Sequence, residues 1–416
     1  MRRHRLILAL LVLVTGHTLA IPQAAQAAGG PVLQATFTAV NNGWARVQRW
    51  NDPDPNFTTE QFPPDGRGDQ SGDRLTYFGG TARPSSGQFL LYSAPGWNTN
   101  PKAVPVLLVL GATQNADQAW ANPNLNGPGG CGNAPCPTTG LMQALAGAGY
   151  KVFAVNFAHS FGDNYQQAQV IADATEVIRG ELGVGKVDLL AWSKGVLAAR
   201  MYVSGVKPPW GRAYQNDVRK LVLLGGPNKG MDTPYRHGIQ NMGTVWSECG
   251  GSLNFPIAAS TLFCFGAYYT HPELTYSGTG VNDTYPGARQ ALYRWDHVYA
   301  LDTTWADWYT VYYGGWGAYS FSPGIDTAIN QGSLITTMRA APTPASVGVY
   351  LLCGGYPTLP TSTENTGPSD GVVFVASCTD TGGLTTVADS RTLWFDNHVM
   401  LGWEINAVNQ IKSWLA

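Results

Sequence analysis

The 416-residue sequence has few charged residues: Asp, Glu, Lys and Arg make up 12% of it, and the formal net charge at pH 7 is −2. This near-neutral balance gives no electrostatic reason to expect nucleic acid or an anionic membrane as a partner. Beyond the N-terminus, no segment is apolar for long enough to span a bilayer. No Cys-x-x-Cys pair occurs and no histidine stands at zinc spacing from a cysteine, so a zinc site is not expected. No cofactor is expected either, although a calcium site formed by carboxylates in loops stays an alternative.

The N-terminus has the pattern of an export signal. A basic start over residues 1–5 is followed by a short apolar run over 6–14, and a small-x-small sequence ends at Ala27. The apolar run is too short for a stable transmembrane helix. We therefore predict a signal peptide over residues 1–27 and an extracellular mature protein with no stable membrane anchor.

The chain has six cysteines, which in an exported protein favours disulfides. Six cysteines allow fifteen pairings, and the sequence alone does not choose among them. We favour pairs that are neighbours in sequence, which are Cys131–Cys136, Cys249–Cys264 and Cys353–Cys378.

Strand-like and helix-like runs alternate along most of the chain. Apolar runs typical of buried strands cover 104–110, 151–157, 187–192 and 220–226, and helical periodicity covers 141–150, 163–183 and 401–416. This alternation predicts an α/β fold with a mostly parallel sheet covered by helices on both faces. Residues 28–103 would add early strands and irregular surface to a catalytic domain over 104–416.

An insertion of about 120 residues, 228–346, interrupts this alternation. Its second half is dense in aromatic residues, which are Trp295, Tyr299, Trp305, Trp308, Tyr309, Tyr312, Tyr313, Trp316 and Tyr319. Large rings bury the area that a small subdomain needs, so they could form the insertion's own core. Alternatively, a few of them line an apolar acyl pocket.

The segment Ala191-Trp192-Ser193-Lys194-Gly195 lies where a strand-like run meets a helix-like run. A serine between small residues at such a junction is presented on a tight turn with its hydroxyl exposed, which suits a nucleophile. The start of the following helix offers backbone N–H groups to a developing negative charge. We therefore predict Ser193 as a nucleophile.

A serine hydroxyl needs a base, and an imidazole base needs an orienting carboxylate. His398 follows a strand-like run over 392–395 and precedes the last helix. Asp370 stands in a sharp Pro-Ser-Asp-Gly loop, later in sequence than the strand-like run 347–352. The order Ser193, Asp370, His398 is the one typical of α/β-hydrolases. The weaker candidates are His159, His237, His271 and His297 for the base, with His159 the best of them, and Asp380, Asp389 and Asp396 for the acid.

An oxyanion hole would use the backbone N–H of Lys194 and one from the loop after the strand over 104–110. We assign the second N–H to Ala112, with Thr113 as the alternative.

The chain resembles secreted bacterial triacylglycerol lipases of the α/β-hydrolase superfamily, in the group whose nucleophile motif begins with Ala. The segments that carry the resemblance are 187–195, 221–227, 369–373 and 397–399. The resemblance covers about half the chain. It implies the triad Ser193, Asp370 and His398, the oxyanion donors Ala112 and Lys194, and a cap or lid in the insertion. Such lipases usually carry His-Gly at the oxyanion strand end, where this chain has Leu110-Gly111. A lysine after the serine also departs from the group and suggests an anionic or polar ester.

The function predicted is therefore hydrolysis of carboxylic esters or lipids through an acyl-enzyme. Alternatives are a polyester depolymerase or cutinase-like enzyme, an esterase for carbohydrate-linked acyl groups, an amidase or peptidase, and a non-catalytic hydrolase-fold binding protein. Acyl chain length, lid movement and oligomeric state do not follow from the sequence.

Overall fold

The computed structural model describes residues 29–60, 62, 68–112, 114–127, 130–131, 135–236, 285–303, 308–316, 321–322, 324–358 and 364–416. The predicted signal peptide, Cys249, Cys264, His237, His271 and Thr113 lie outside the described residues.

The strands are short and follow the apolar runs of the sequence. They are β1 Val32–Phe37, β2 Arg46–Asn51, β3 Gln88–Ser93, β4 Val106–Val109, β5 Val152–Phe157, β6 Val187–Trp192, β7 Val218–Leu224, β8 Gly315–Trp316, β9 Phe321–Ser322, β10 Gly348–Gly354 and β11 Val387–Leu393. The helices are α1 Gly72–Tyr77, α2 Leu141–Gly147, α3 Asn164–Leu182, α4 Gly195–Ser204, α5 Thr233–Arg236, α6 Pro286–Arg289, α7 Trp308–Tyr313, α8 Ile325–Asn330, α9 Ile335–Ala340, α10 Val375–Cys378 and α11 Ile405–Leu415.

Nine strands form one sheet in the order β1-β2-β3-β5-β4-β6-β7-β10-β11, and β8 and β9 form a separate antiparallel pair. Neighbours from β5 through β4, β6, β7 and β10 to β11 are parallel, whereas β1, β2 and β3 join the β5 edge through antiparallel pairings. This order brings the carboxyl ends of β4, β6, β7, β10 and β11 to one edge. The predicted α/β-hydrolase fold class, with its mostly parallel sheet, is confirmed.

The two faces of the sheet bury two separate hydrophobic cores. Leu107 and Val109 point to the face covered by α3 and α4. Leu108 of the same strand points to the opposite face, where α2 and α11 pack. Because side chains alternate across a strand, a strand buried on both faces is a continuous apolar run, as the sequence of β4 is.

Helix α3 has well-defined ends. The Asp163 carboxylate accepts a hydrogen bond from the backbone N–H of Tyr165, and Gly183 closes the helix in the left-handed conformation. Both are typical signals of helix termini. The predicted span of 163–183 therefore agrees with the observed Asn164–Leu182.

The prediction of a strand-like run over 392–395 is wrong at its C-terminal end. Strand β11 ends at Leu393, and Trp394 and Phe395 are 56% and 86% exposed. β11 is the edge strand and is only partly buried, so its sequence, VADSRTL, lacks the apolar run of an inner strand. The two aromatic residues gave a false strand signal because they are apolar without being buried.

The described part of the insertion lies against α4 and the loop that carries Asp370. Ala291, Ile335 and Met338 pack on Leu197 of α4. Trp295 and Tyr299 contact the ring of Phe374, which follows Asp370 closely in sequence. Trp295 and Tyr312 are therefore core residues, whereas Tyr309 and Tyr313 are exposed. The role of the insertion as a cap, and the bounds of the domains, stay predictions.

Two of the predicted disulfides, Cys131–Cys136 and Cys353–Cys378, are present. The second joins the end of β10 to α10, just after the Asp370 loop.

Among the described helices, none combines the length and apolar character needed to cross a membrane.

Candidate active site

Ser193 lies on the turn between β6 and α4, at the carboxyl edge of the sheet. Its φ is +54°, a left-handed conformation that is unfavourable for a residue with a Cβ atom. The turn is held because Ser193 N donates to Leu224 O at 2.8 Å and Val196 N donates to Ser193 O at 3.0 Å. A strained backbone conformation of this kind persists only where the packing of the surrounding residues holds it in place.

Glycines allow this turn to pack closely. A Cβ on Gly195 would lie 2.4 Å from the carbonyl oxygen of Leu110, and one on Gly111 would lie 2.6 Å from Ser193 Cβ. Both distances are too short for a real side chain. The segment after β4 therefore packs directly against the turn that carries Ser193. This close packing requires glycine at positions 111 and 195.

His398 connects Ser193 to Asp370. Its Nε2 lies 2.8 Å from Ser193 Oγ, and its Nδ1 lies 2.8 Å from Asp370 Oδ2. The backbone is fixed as well, because His398 N donates to Asp370 O at 2.8 Å and Trp192 Nε1 donates to His398 O at 3.1 Å. The structure thus brings the three residues predicted from sequence into one hydrogen-bonded chain.

Asp370 is almost completely buried, and both of its carboxylate oxygens have partners. While Oδ2 faces His398, Oδ1 accepts hydrogen bonds from Val372 N at 3.0 Å and Val373 N at 2.8 Å. The two backbone donors fix the rotation of the carboxylate. A buried carboxylate held in this way remains an acceptor for the imidazole.

Three of the competing candidates, His159, Asp380 and Asp389, have other partners. His159 Nδ1 lies 2.9 Å from Asp69 Oδ2. Asp380 pairs with Arg339, and Asp389 with Arg391. Asp188, toward the opposite end of β6 from Ser193, pairs with Arg219 on β7.

The predicted oxyanion donors flank Ser193. Lys194 immediately precedes α4, and Ala112 follows Gly111, whose backbone touches Ser193. Whether these N–H groups bind an oxyanion stays a prediction.

The burial of the Lys194 side chain was not predicted from the sequence. It is 3% exposed, and its ammonium donates to Gln167 Oε1 at 2.7 Å and Asn164 Oδ1 at 3.0 Å. Burial lowers the pKa of Lys194 to about 7, against the attraction of Glu60, Asp163 and Asp69. The ammonium is engaged inside the protein, which removes the basis for the expected contact with an anionic or polar ester.

A second buried polar cluster, centred on Arg236, was also not predicted from the sequence. Arg236 forms ion pairs with Asp232 and Glu364, and all three side chains are fully buried. Arg236 Nη1 also donates to the carbonyls of Tyr299 and Ala300 in the insertion. Glu364 N in turn donates to Gly371 O, so this cluster joins the insertion to the Asp370 loop.

Within the described ranges, no group of three or more His, Cys, Asp or Glu side chains is arranged to hold a metal ion.

No family model matches the chain. Similar solved structures include mature lipase BlEst2 of Bacillus licheniformis, 12% identical with a TM-score of 0.43, covering 76% of this chain and 94% of that chain. Naproxen esterase of Bacillus subtilis is 11% identical with a TM-score of 0.36, covering 86% and 90%. Carboxylesterase CesB of the same organism is 10% identical with a TM-score of 0.35, covering 78% and 86%. Similarities this low say nothing about the substrate of this chain.

Proposed function

We propose that this protein is an extracellular serine hydrolase that cleaves carboxylic esters. The observation that carries the proposal is the hydrogen-bonded chain from Ser193 Oγ through His398 to Asp370, built on a serine with a φ of +54°. An imidazole within hydrogen-bond distance of a hydroxyl, and itself oriented by a carboxylate, is the arrangement that activates a serine.

The first half-reaction would form an acyl-enzyme. Ser193 Oγ attacks the carbonyl carbon of the ester while His398 Nε2 takes the hydroxyl proton. The carbonyl oxygen becomes an oxyanion, which the N–H groups of Lys194 and Ala112 would bind. Collapse of this intermediate breaks the bond to the alcohol oxygen, and His398 returns the proton to the leaving alcohol.

The second half-reaction would release the acid. Water attacks the acyl carbon and gives a proton to His398 Nε2. The second tetrahedral intermediate then collapses: the bond from the acyl carbon to Ser193 Oγ breaks, His398 returns the proton to Oγ, and the carboxylic acid is released. Throughout, Asp370 accepts from Nδ1, so that Nε2 remains free to act as the base, and it stabilises the imidazolium.

The proposed location outside the cell is supported by two disulfides among the described residues and by the signal-like N-terminus. Ester or lipid substrates of either short or long acyl chain fit the proposal.

A second candidate is hydrolysis of a polymeric ester, as in a polyester depolymerase. Its supporting observation is the exposure of Trp394 and Phe395, which precede His398 in the same loop. Large exposed apolar side chains beside a site are typical of contact with an apolar surface.

The test is hydrolysis of p-nitrophenyl esters from acetate to palmitate by the wild-type protein and Ser193→Ala. We expect activity in the wild type and near-complete loss in the variant. The chain-length profile separates esterase from lipase, and a polyester film added as a parallel substrate tests the second candidate. A folded wild type that hydrolyses none of these substrates would contradict the proposal and favour a binding protein.

A further inference from the structure

The ammonium of Lys194 lies in a buried polar cluster where four parts of the chain meet. We call the side chains of Lys194, Asn164, Gln167, Gln290 and Glu60 the Lys194 cluster. They come from the start of α4, the start of α3, the residue after α6 in the insertion, and the segment before α1.

The first link of the cluster joins α4 to α3. Lys194 donates to Gln167 Oε1 at 2.7 Å and to Asn164 Oδ1 at 3.0 Å. Gln167 is fixed from its other end, because its Nε2 donates to His159 O at 2.8 Å. Gln167 is therefore held in place independently of the lysine.

The second link joins α3 to the insertion. Asn164 Nδ2 donates to Gly287 O at 2.8 Å, and Gln290 Oε1 accepts from both Asn164 N at 2.8 Å and Asn164 Nδ2 at 2.9 Å. A Cβ on Gly287 would lie 2.2 Å from Lys194 Cε and 2.0 Å from Gly162 O. The backbone of the insertion is thus in direct contact with the lysine side chain.

The cluster is electrostatically costly. The charged form of Lys194 is unfavourable, because it is buried and its ammonium lies beside the first turn of α3, where the helix dipole repels a cation. The charged groups that face it are Glu60, Asp163 and Asp69, with His159 next to Asp69. Glu60 is held by a bond from Asp163 N at 2.5 Å. A methionine would fill similar space without this cost, so the polar contacts themselves are what the lysine contributes.

These contacts act on a residue whose backbone is part of the proposed chemistry. An oxyanion donor must be fixed to within a few tenths of an ångström to stabilise the transition state. The N–H of Lys194 lies at the start of α4, one residue after the strained Ser193. Its own side chain connects that position to α3 and, through Asn164, to the insertion.

We propose that the Lys194 side chain is a positioning group, which fixes the backbone N–H of Lys194 in the oxyanion hole through Asn164 and Gln167. This inference rests on the proposed function. It assigns to the insertion at Gly287 a part in holding the oxyanion hole, besides any part in substrate binding.

The test is the steady-state kinetics of Lys194→Met and Gln167→Met on a short soluble p-nitrophenyl ester. Enzyme concentrations are normalised by titrating Ser193 with a fluorophosphonate, so that loss of folded protein does not count. We expect kcat to fall about 10- to 100-fold in each variant with KM changed by less than about threefold, because the transition state loses a fixed donor. The double variant should be little worse than the worse single one, because both substitutions remove the same contact.

Lys220→Met is the matched control. Lys220 Nζ also donates to backbone carbonyls, those of Trp414 and Ala416, but it lies toward the other end of β7. The kcat of the Lys220→Met variant should equal that of the wild type. Unchanged kcat in Lys194→Met and Gln167→Met, or a change in KM alone, overturns the inference while leaving Ser193 as the nucleophile. A wild type that neither hydrolyses the ester nor reacts with the fluorophosphonate overturns the proposed function and this inference together.

Discussion

His398 Nε2 lies 2.8 Å from Ser193 Oγ, although 205 positions separate the two residues in sequence. Trp192, which precedes the serine, donates from its indole N–H to the backbone carbonyl of His398. The contact between hydroxyl and imidazole is therefore supported by a second bond between the same two segments. The carboxyl ends of parallel strands meet at one edge of a sheet, which explains why such distant segments converge there.

Replacing Asp370 with Asn should reduce kcat by about 10⁴-fold while the protein stays folded. The two backbone donors to Oδ1 require an oxygen at that position, so the amide nitrogen of Asn must face His398 Nδ1. A donor there forces the proton onto Nε2, where it blocks acceptance of the serine proton. Kinetics on a short ester together with a thermal melt check this prediction. Activity within tenfold of the wild type would show that Asp370 does not orient the base.

Replacing Gly195 with Ala should destabilise the protein by about 1–3 kcal/mol and impair hydrolysis. The new Cβ would lie 2.4 Å from Leu110 O, which is backbone and has no alternative rotamer. Either the start of α4 or the end of β4 must move, and both border Ser193.

Gly180→Ala is the matched control for that substitution. Gly180 is an exposed position within α3, where a Cβ meets nothing within 4 Å. Alanine there should stabilise the protein by about 0.5–1 kcal/mol, because it favours helix, and should leave activity unchanged. Urea unfolding of both variants checks the pair, and equal effects of the two substitutions would refute the close packing at Gly195.

Asp396→Asn should raise the melting temperature more at pH 8 than at pH 5. Burial, assisted by the neighbouring Glu404, raises the pKa of Asp396 from 3.8 to about 7. The folded state therefore holds a proton that the unfolded state lacks between about pH 4 and pH 7, so this group lowers stability progressively as pH rises through that window. Asn has no such titration. Melting curves from pH 4 to pH 9 give the test, and a pH-independent difference between the two proteins would contradict it.

Arg236→Met should destabilise the protein by about 3–5 kcal/mol, because it leaves Asp232 and Glu364 buried without their cation. The same substitution at Arg391, whose partner is Asp389 at the surface, should have little effect. Chemical denaturation measures both. A loss no larger in Arg236→Met than in Arg391→Met would mean that this cluster does not hold the insertion against the Asp370 loop.

The sequence predicted the parts of the fold that have a local signal. Ser193 is marked by small residues two positions before and after it, at a junction of strand and helix. Asp370 and His398 are marked by their order in the sequence and by the loops that carry them. Lys194 and Arg236 could not be assigned in this way, because they have partners in other segments of the chain, as Asn164 and Glu364 are. Trp394 and Phe395 misled because composition alone does not distinguish a buried strand from an exposed loop.

The most direct test of the account is reaction of the folded protein with a fluorophosphonate, followed by peptide mapping in a mass spectrometer. The account predicts one stoichiometric adduct on Ser193 in the wild type, none in Ser193→Ala, and protection by a competing ester. An adduct on another residue, or no adduct on a folded wild-type protein, would contradict the assignment of Ser193 as the nucleophile.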